Sequence, residues 1–120
     1  MFKKYVFFIF VFSFIIPQGI SWRVWADMFP SIRELIRCES NFNAKAFNPK
    51  DTDGRPKYGI LQFGKYEFYS WAGEAGLDKP DIWNPKHQIV VYRWASENGL
   101  KERWGCHKTL LDKGLAFLFY

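Results

Sequence analysis

Cys38 and Cys106 are the chain's two cysteines, and they stand 68 positions apart. In a reducing compartment they stay thiols; in an oxidising one a lone pair reads as a bridge. The first residues favour the oxidising one. Lys3 and Lys4 are followed by an apolar run from Tyr5 to Ile16, interrupted by Ser13 alone, and then by Pro17, Gln18 and Gly19. A positive start, an apolar centre of about a dozen residues and a small-residue end make a secretory leader, and the run is shorter than the about 20 residues of a membrane span. Cleavage is expected after Ala26, with Ser21 as the second site and an uncleaved anchor as the alternative. The 120 residues then divide into a leader, 1–26, and one domain, 27–120. A Cys38–Cys106 bridge would stabilise that domain by about 4 kcal/mol in the chain-entropy account, against a typical total of about 5–15 kcal/mol. Two free buried thiols are the alternative.

Composition excludes several classes. With 48% hydrophobic and 24% charged residues the chain can bury a core, so wholesale disorder fails. The net charge of +5 owes three cations (Lys3, Lys4 and Arg23) to the leader; residues 27–120 keep 14 basic and 12 acidic residues, net +2. Those charges are mixed along the chain rather than gathered in a stripe, so nucleic acid is not the expected partner. No metal or cofactor is expected either. Asp51-Thr52-Asp53-Gly54 has the look of a calcium loop, but the twelfth position is Gln62 where a bidentate Glu is needed. His87 and His107 belong to no zinc ligand set, and no phosphate-binding glycine loop occurs.

Helix signals dominate the rest. Ser31-Ile32-Arg33-Glu34 reads as a capping box opening a first helix. Asn41 to Tyr58 is dense in Asn, Asp, Gly and Pro and reads as loop, with room for short β-structure. A second helix is expected over Lys65 to Ala75, burying either Tyr66, Tyr69 and Ala72 or Phe68 and Trp71. Asn84-Pro85 is a strong helix start, and Gly99 a favoured stop. Trp104 to Cys106 is irregular or helical, and Lys108 to Leu111 reads as a final turn.

One residue breaks the pattern. At about 100° per residue, Ile32, Leu35 and Ile36 share a stripe with Glu39. A carboxyl on an apolar face, at the negative end of the helix dipole, has its pKa raised by both surroundings. Held protonated near neutrality, it can donate a proton to a leaving group. The structural alternative is a buried Glu paired to an Arg or to backbone N–H groups.

Glu39-Ser40 at the end of an amphipathic helix, then Asn41-Phe42-Asn43-Ala44-Lys45-Ala46-Phe47-Asn48-Pro49, then Tyr58-Gly59-Ile60-Leu61-Gln62-Phe63, resembles the lytic transglycosylase and goose-type lysozyme superfamily. Trp83-Asn84-Pro85 with Gln88-Ile89 is similar to the helix that follows in those domains. The resemblance runs from Ser31 to Cys106. It implies an α+β, predominantly helical, lysozyme-like single domain with a small or vestigial β region. It also implies cleavage of the β-1,4 bond between N-acetylmuramic acid and N-acetylglucosamine in peptidoglycan, with Glu39 as catalytic acid. In the transglycosylase branch Glu39 alone serves as acid and base, and this is the expected activity. In the hydrolase branch a second carboxylate activates water; Asp51 and Asp53 are the candidates, with plain turn residues as their alternative. Ser40 and Gln62 are candidate substrate contacts, with a helix-terminal hydroxyl and a structural amide as alternatives. Tyr58, Phe63 and Tyr92 are candidate cleft aromatics, with core packing as the alternative. Trp83, Trp94 and Trp104 are read as core, with sugar stacking as the alternative. The chain departs from many transglycosylases in lacking an Ala-Tyr-Asn-Ala-Gly-like segment; Tyr92-Arg93-Trp94-Ala95-Ser96 is the nearest stretch.

The expected protein is therefore extracytoplasmic (periplasmic, wall-bound or secreted), monomeric, free of cofactors, and in contact with a membrane only through its leader. Two other classes stay open: a catalytically silent module that holds cell-wall glycan, and a structural envelope protein anchored by its leader.

Overall fold

Helix signals near the chain's middle set the frame. In the structure, a computed structural model describing residues 19–100 and 103–112, five helices accompany one two-stranded hairpin. They are α1 (Trp22–Asp27), α2 (Pro30–Ser40), α3 (Lys65–Glu74), α4 (Pro85–Glu97) and α5 (Gly105–Asp112); β1 (Phe47–Asn48) and β2 (Lys57–Tyr58) lie between α2 and α3. The class is the mostly helical one with a small β part that the sequence predicts. The apolar run over residues 5–16 and the tail 115–120 lie outside the described residues. Among those described, no helix is long and apolar enough to cross a membrane.

Ser21 caps α1, its hydroxyl accepting from the Arg23 N–H, and Trp25 and Ala26 are buried in the core. A boundary after Ala26 would run through a packed helix, whereas one after Ser21 leaves α1 whole. The expected capping box at Ser31 does not form. Pro30 takes the first helical position, Phe29 stands at the cap without a side-chain bond, and Glu34 pairs with Arg33 and Arg37 at 3.5 and 3.4 Å. Proline's preset φ and missing N–H suit that first position, which moves the helix start one residue upstream of the serine.

α2 buries Ile32, Leu35 and Ile36, the apolar stripe read from its periodicity. It stops because Asn41 and Phe42 both adopt left-handed backbone, with φ of 50° and 64°. Phe42 then stacks on Trp22 and carries the guanidinium groups of Arg23 and Arg37 on its ring. α3 buries Phe68 and Ala72 and half-buries Trp71, while Tyr66 and Tyr69 face solvent, so the second of the two expected faces is the inward one. In α4 the Asn84 side chain accepts from the N–H groups of Lys86 and His87, as the Asn-Pro start predicts. α3 packs on α4, α1 on α2 and α4, and α5 on α2.

The hairpin is antiparallel, with Phe47 opposite Tyr58 and Asn48 opposite Lys57. After β2 the backbone doubles back at once: Tyr58 and Phe63 exchange N–H···O bonds of 2.9 and 3.0 Å around residues 59–62. Gly59 (φ 78°) permits that loop, and Ile60 and Leu61 plug the core from it. The fully buried Gln88 of α4 holds the loop in place. Its Oε1 accepts from the Leu61 N–H at 2.8 Å, and its Nε2 donates to the carbonyls of Tyr58 and Ile82.

Candidate active site

A cleft of about 580 Å³ opens beside the end of α2. Glu39 reaches it from α2; Gly105, Cys106 and Thr109 reach it from α5, and Trp104 from the residue before that helix. Asp51, Thr52, Asp53 and Lys57 approach from the hairpin and its connecting loop. Gln62, Phe63 and Gly64 come from the loop that Gln88 anchors, Glu67 and Trp71 from α3, and Arg103 from the segment before α5.

Glu39 is half-buried, and its pKa is raised from 4.5 to about 7. Burial is the main cause, because the ionised form gives up hydration. The negative charge of Asp51 pushes the same way. Opposing both, the Cys106 backbone N–H donates to the carboxyl and the Lys57 ammonium attracts it. Neither of the two opposing groups is an ion-pair partner in contact with Glu39 among the described residues: Lys57 is spent on Asp53, 2.8 Å away.

The Cys38–Cys106 disulfide is formed, with a Cα–Cα separation of 5.9 Å. It joins the residue before Glu39 to a residue that lines the cleft from α5. The bridge thus ties α5 against the end of α2 and gives the cleft one of its walls.

The two candidate second carboxylates divide. Asp53 is exposed, takes the Arg55 N–H at 2.9 Å, and is held below the usual carboxylate range first by its bond to Lys57. That is the turn role. Asp51 is half-buried, accepts from the Asn48 side-chain amide at 3.3 Å, and is the carboxylate whose charge reaches Glu39.

The other expected contacts also divide. Gln62 and Phe63 line the cleft. Gln62 sits there in left-handed backbone, φ 52°, and its amide nitrogen donates to the carbonyls of Gly59 (2.9 Å) and Ala46 (3.3 Å). Such a conformation is uncommon outside glycine, and the two side-chain bonds help to hold it. Phe63 is 2% exposed and meets Trp71 and Trp104 edge-on. Ser40, Tyr58 and Tyr92 stand away from the cleft. The Ser40 hydroxyl donates to the Ile36 carbonyl at 3.2 Å, one turn back in its own helix. The Tyr58 ring lies between Phe47 and Trp83. Tyr92 is buried against Trp104, its hydroxyl hydrogen-bonded to Ser96 and its pKa pushed up to about 12, chiefly by burial.

Thr52, Lys57, Gly64, Glu67, Trp71, Arg103, Gly105 and Thr109 line the cleft without a counterpart in the sequence reading as site residues. Glu67 carries the one available signal, an acid in the first turn of α3. Its carboxylate folds back over Gly64, where an added Cβ would come within 2.5 Å of it. Trp104 has a double role: it is 6% exposed, donates its indole N–H to the Leu61 carbonyl at 2.8 Å, and still borders the cleft.

In comparisons with known proteins, no family model, no curated protein and no solved structure matches this chain.

Proposed function

We propose that this protein is an exported enzyme that cuts the glycan strands of peptidoglycan, acting as a lytic transglycosylase with Glu39 as its single acid and base. The observation that carries this reading is a carboxyl with a pKa of about 7 facing a cleft of about 580 Å³. Near neutrality about half of such groups hold a proton, the condition for a general acid that must later serve as base. The cleft falls within the usual range for small-molecule and glycan sites and mixes aromatic edges with polar groups. The order of Glu39-Ser40, the Asn- and Pro-bearing loop and the Gly59–Phe63 segment supplies the choice of substrate.

In this chemistry the bridging oxygen between N-acetylmuramic acid and N-acetylglucosamine takes the Glu39 proton. The C1–O bond of the muramic residue breaks, and positive charge develops on that sugar ring. The Glu39 carboxylate then accepts the proton of the same sugar's 6-hydroxyl as its oxygen closes on C1. The product is a 1,6-anhydro ring, and no water is consumed.

A second reading has one observation behind it. Asp51 acts electrostatically on Glu39 while Asp53 is engaged by Lys57. If a water enters, Asp51 is the carboxylate to activate it, and the enzyme is a hydrolase.

Mass analysis of digested peptidoglycan separates the branches. Anhydro ends are lighter by one water than reducing ends, so a ladder of anhydro fragments is expected from wild type and none from Glu39→Gln. Fragments with reducing ends alone would transfer the reading to the hydrolase branch. Intact strands after incubation with folded wild type would end both.

A further inference from the structure

The charges that line the cleft are unevenly engaged. Among the described residues, Glu39, Asp51, Asp53 and Glu67 are its acids, and Lys57 and Arg103 its cations. Lys57 is bound to Asp53 at 2.8 Å. Arg103 is exposed, and among the described residues no carboxylate stands within ion-pair distance of it. The acids repel an anion from the rest of the cleft, so the Arg103 end is where one can settle.

Arg103 is also held in place. Its backbone N–H donates to the Leu100 carbonyl at 3.1 Å, and the next residue, Trp104, is anchored by its indole on the Leu61 carbonyl at 2.8 Å. The guanidinium lies over the Trp71 ring, 5.9 Å from the centroid. Trp71 is itself packed against Phe63, Trp94 and Trp104, at centroid distances of 6.3, 6.1 and 6.1 Å. A guanidinium resting on a ring keeps its edge N–H groups for other acceptors, and its planar fork matches a carboxylate. Part of the ordering that such a contact demands is in place before a ligand arrives.

We propose that Arg103, seated on Trp71, binds a carboxylate carried by the muramic residue of the substrate and so selects strands that bear one over neutral glycan. The identity of the ligand rests on the glycan-cleaving reading. N-acetylglucosamine is uncharged. Muramic acid adds a lactyl ether whose carboxyl is either ionised or joined to a stem peptide that ends in a carboxylate of its own. Both forms offer the same planar anion to the fork. The tasks in the cleft then divide: Glu39 acts on the bridging oxygen, and Arg103 decides which strand is admitted and in which register.

The test is equilibrium binding to the full chain carrying Glu39→Gln, so that no strand is cut. Three tetrasaccharide probes are used: an N-acetylglucosamine tetramer, a peptidoglycan tetrasaccharide stripped of peptide at the lactyl carboxyl, and the same tetrasaccharide with its peptides attached. The expected result is binding of a carboxylate-bearing probe about 30-fold tighter than of the neutral one, the effect of one charge-assisted bidentate contact. Arg103→Gln in the same background should reduce that preference to about threefold or less. Arg103→Lys should keep part of it, since lysine supplies the charge without the fork. The anionic probe that loses affinity identifies the source: the stripped strand points to the lactyl group, the peptide-bearing strand alone to the stem peptide. A preference equal with and without Arg103, or no preference at all, overturns the proposal and leaves the glycan reading standing. Binding of none of the three defeats the glycan reading, and the proposal falls with it. Arg103 is exposed, so its replacement leaves the core intact.

Discussion

At the scale of single residues, a carboxyl whose pKa is raised from 4.5 to about 7 weakens the fold wherever it is ionised. The folded state binds the proton more tightly than the unfolded chain does. The contribution of Glu39 to stability is therefore greatest below about 4.5, declines as pH rises toward 7, and stays low above that. The shift corresponds to roughly 3 kcal/mol. Glu39→Gln, which cannot ionise, should be more stable than wild type by up to that amount at pH 8 and equal to it at pH 4, as chemical denaturation at the two pH values would measure. A Glu39→Gln variant no more stable than wild type at pH 8 would mean that the carboxyl is not held in its neutral form. On the proposed chemistry the same proton governs rate. Above about pH 7, kcat/KM should fall about tenfold per unit as the acid form is lost, and a profile flat to pH 9 would remove Glu39 from the acid's role. The apolar periodicity of α2 is enough to make this residue legible in the sequence. Asp51 and Asp53 are not separable that way, because both sit among turn residues. Only folding brings Lys57 onto Asp53 and leaves Asp51 acting on Glu39.

At the scale of elements, the loop between β2 and α3 depends on one amide from another helix. Gln88 satisfies the Leu61 N–H and the Ile82 carbonyl in the interior, and the Tyr58 carbonyl at its edge. Gln88→Leu removes those partners and should cost about 3 kcal/mol, because buried polar groups left unpaired lose their hydration without return. A loss below about 1 kcal/mol in denaturant would mean that the loop finds other partners. Gly59 is tied to the same amide: its φ of 78° suits glycine, and a Cβ there would collide with the Gln88 side-chain nitrogen. Helix starts are readable where the side chain itself makes the cap, as at Asn84. Asn84→Ala should lower stability by about 1 kcal/mol, measurable as a shift of the denaturation midpoint. At Ser31 the same kind of reasoning fails, since Pro30 settles the helix start first. Gln88 carries no such local signal. An amide at its position in α4 looks like any polar residue until the loop closes over it.

At the scale of the whole molecule, the disulfide closes a segment of 68 residues and restricts the unfolded chain strongly. Its reduction should lower stability by about 4 kcal/mol, seen as a fall in denaturation midpoint between oxidised protein and protein kept under a dithiol. Equal midpoints would mean that the packing of α2 on α5 suffices alone. The start of the fold is likewise a whole-molecule matter. Trp25 and Ala26 look like the end of a leader by composition, and in the structure they are buried on α1, which packs on α2 and α4.

Local chemistry was enough for the sequence to determine the helical class, the caps at Asn84 and Gly99, the buried stripe of α2 with its misplaced acid, and the pairing of two cysteines. Each of these depends on residues within a turn or two, or on a pair with no rival. Tertiary structure alone decided which polar and aromatic groups share the cleft. Glu67, Trp71, Arg103 and Thr109 come from segments that meet only in the folded chain, while Ser40, Tyr58 and Tyr92 are turned to their own helix, to neighbouring rings and to the core. Periodicity fixes which face of an element is apolar; it does not fix what that face will find opposite when distant segments pack.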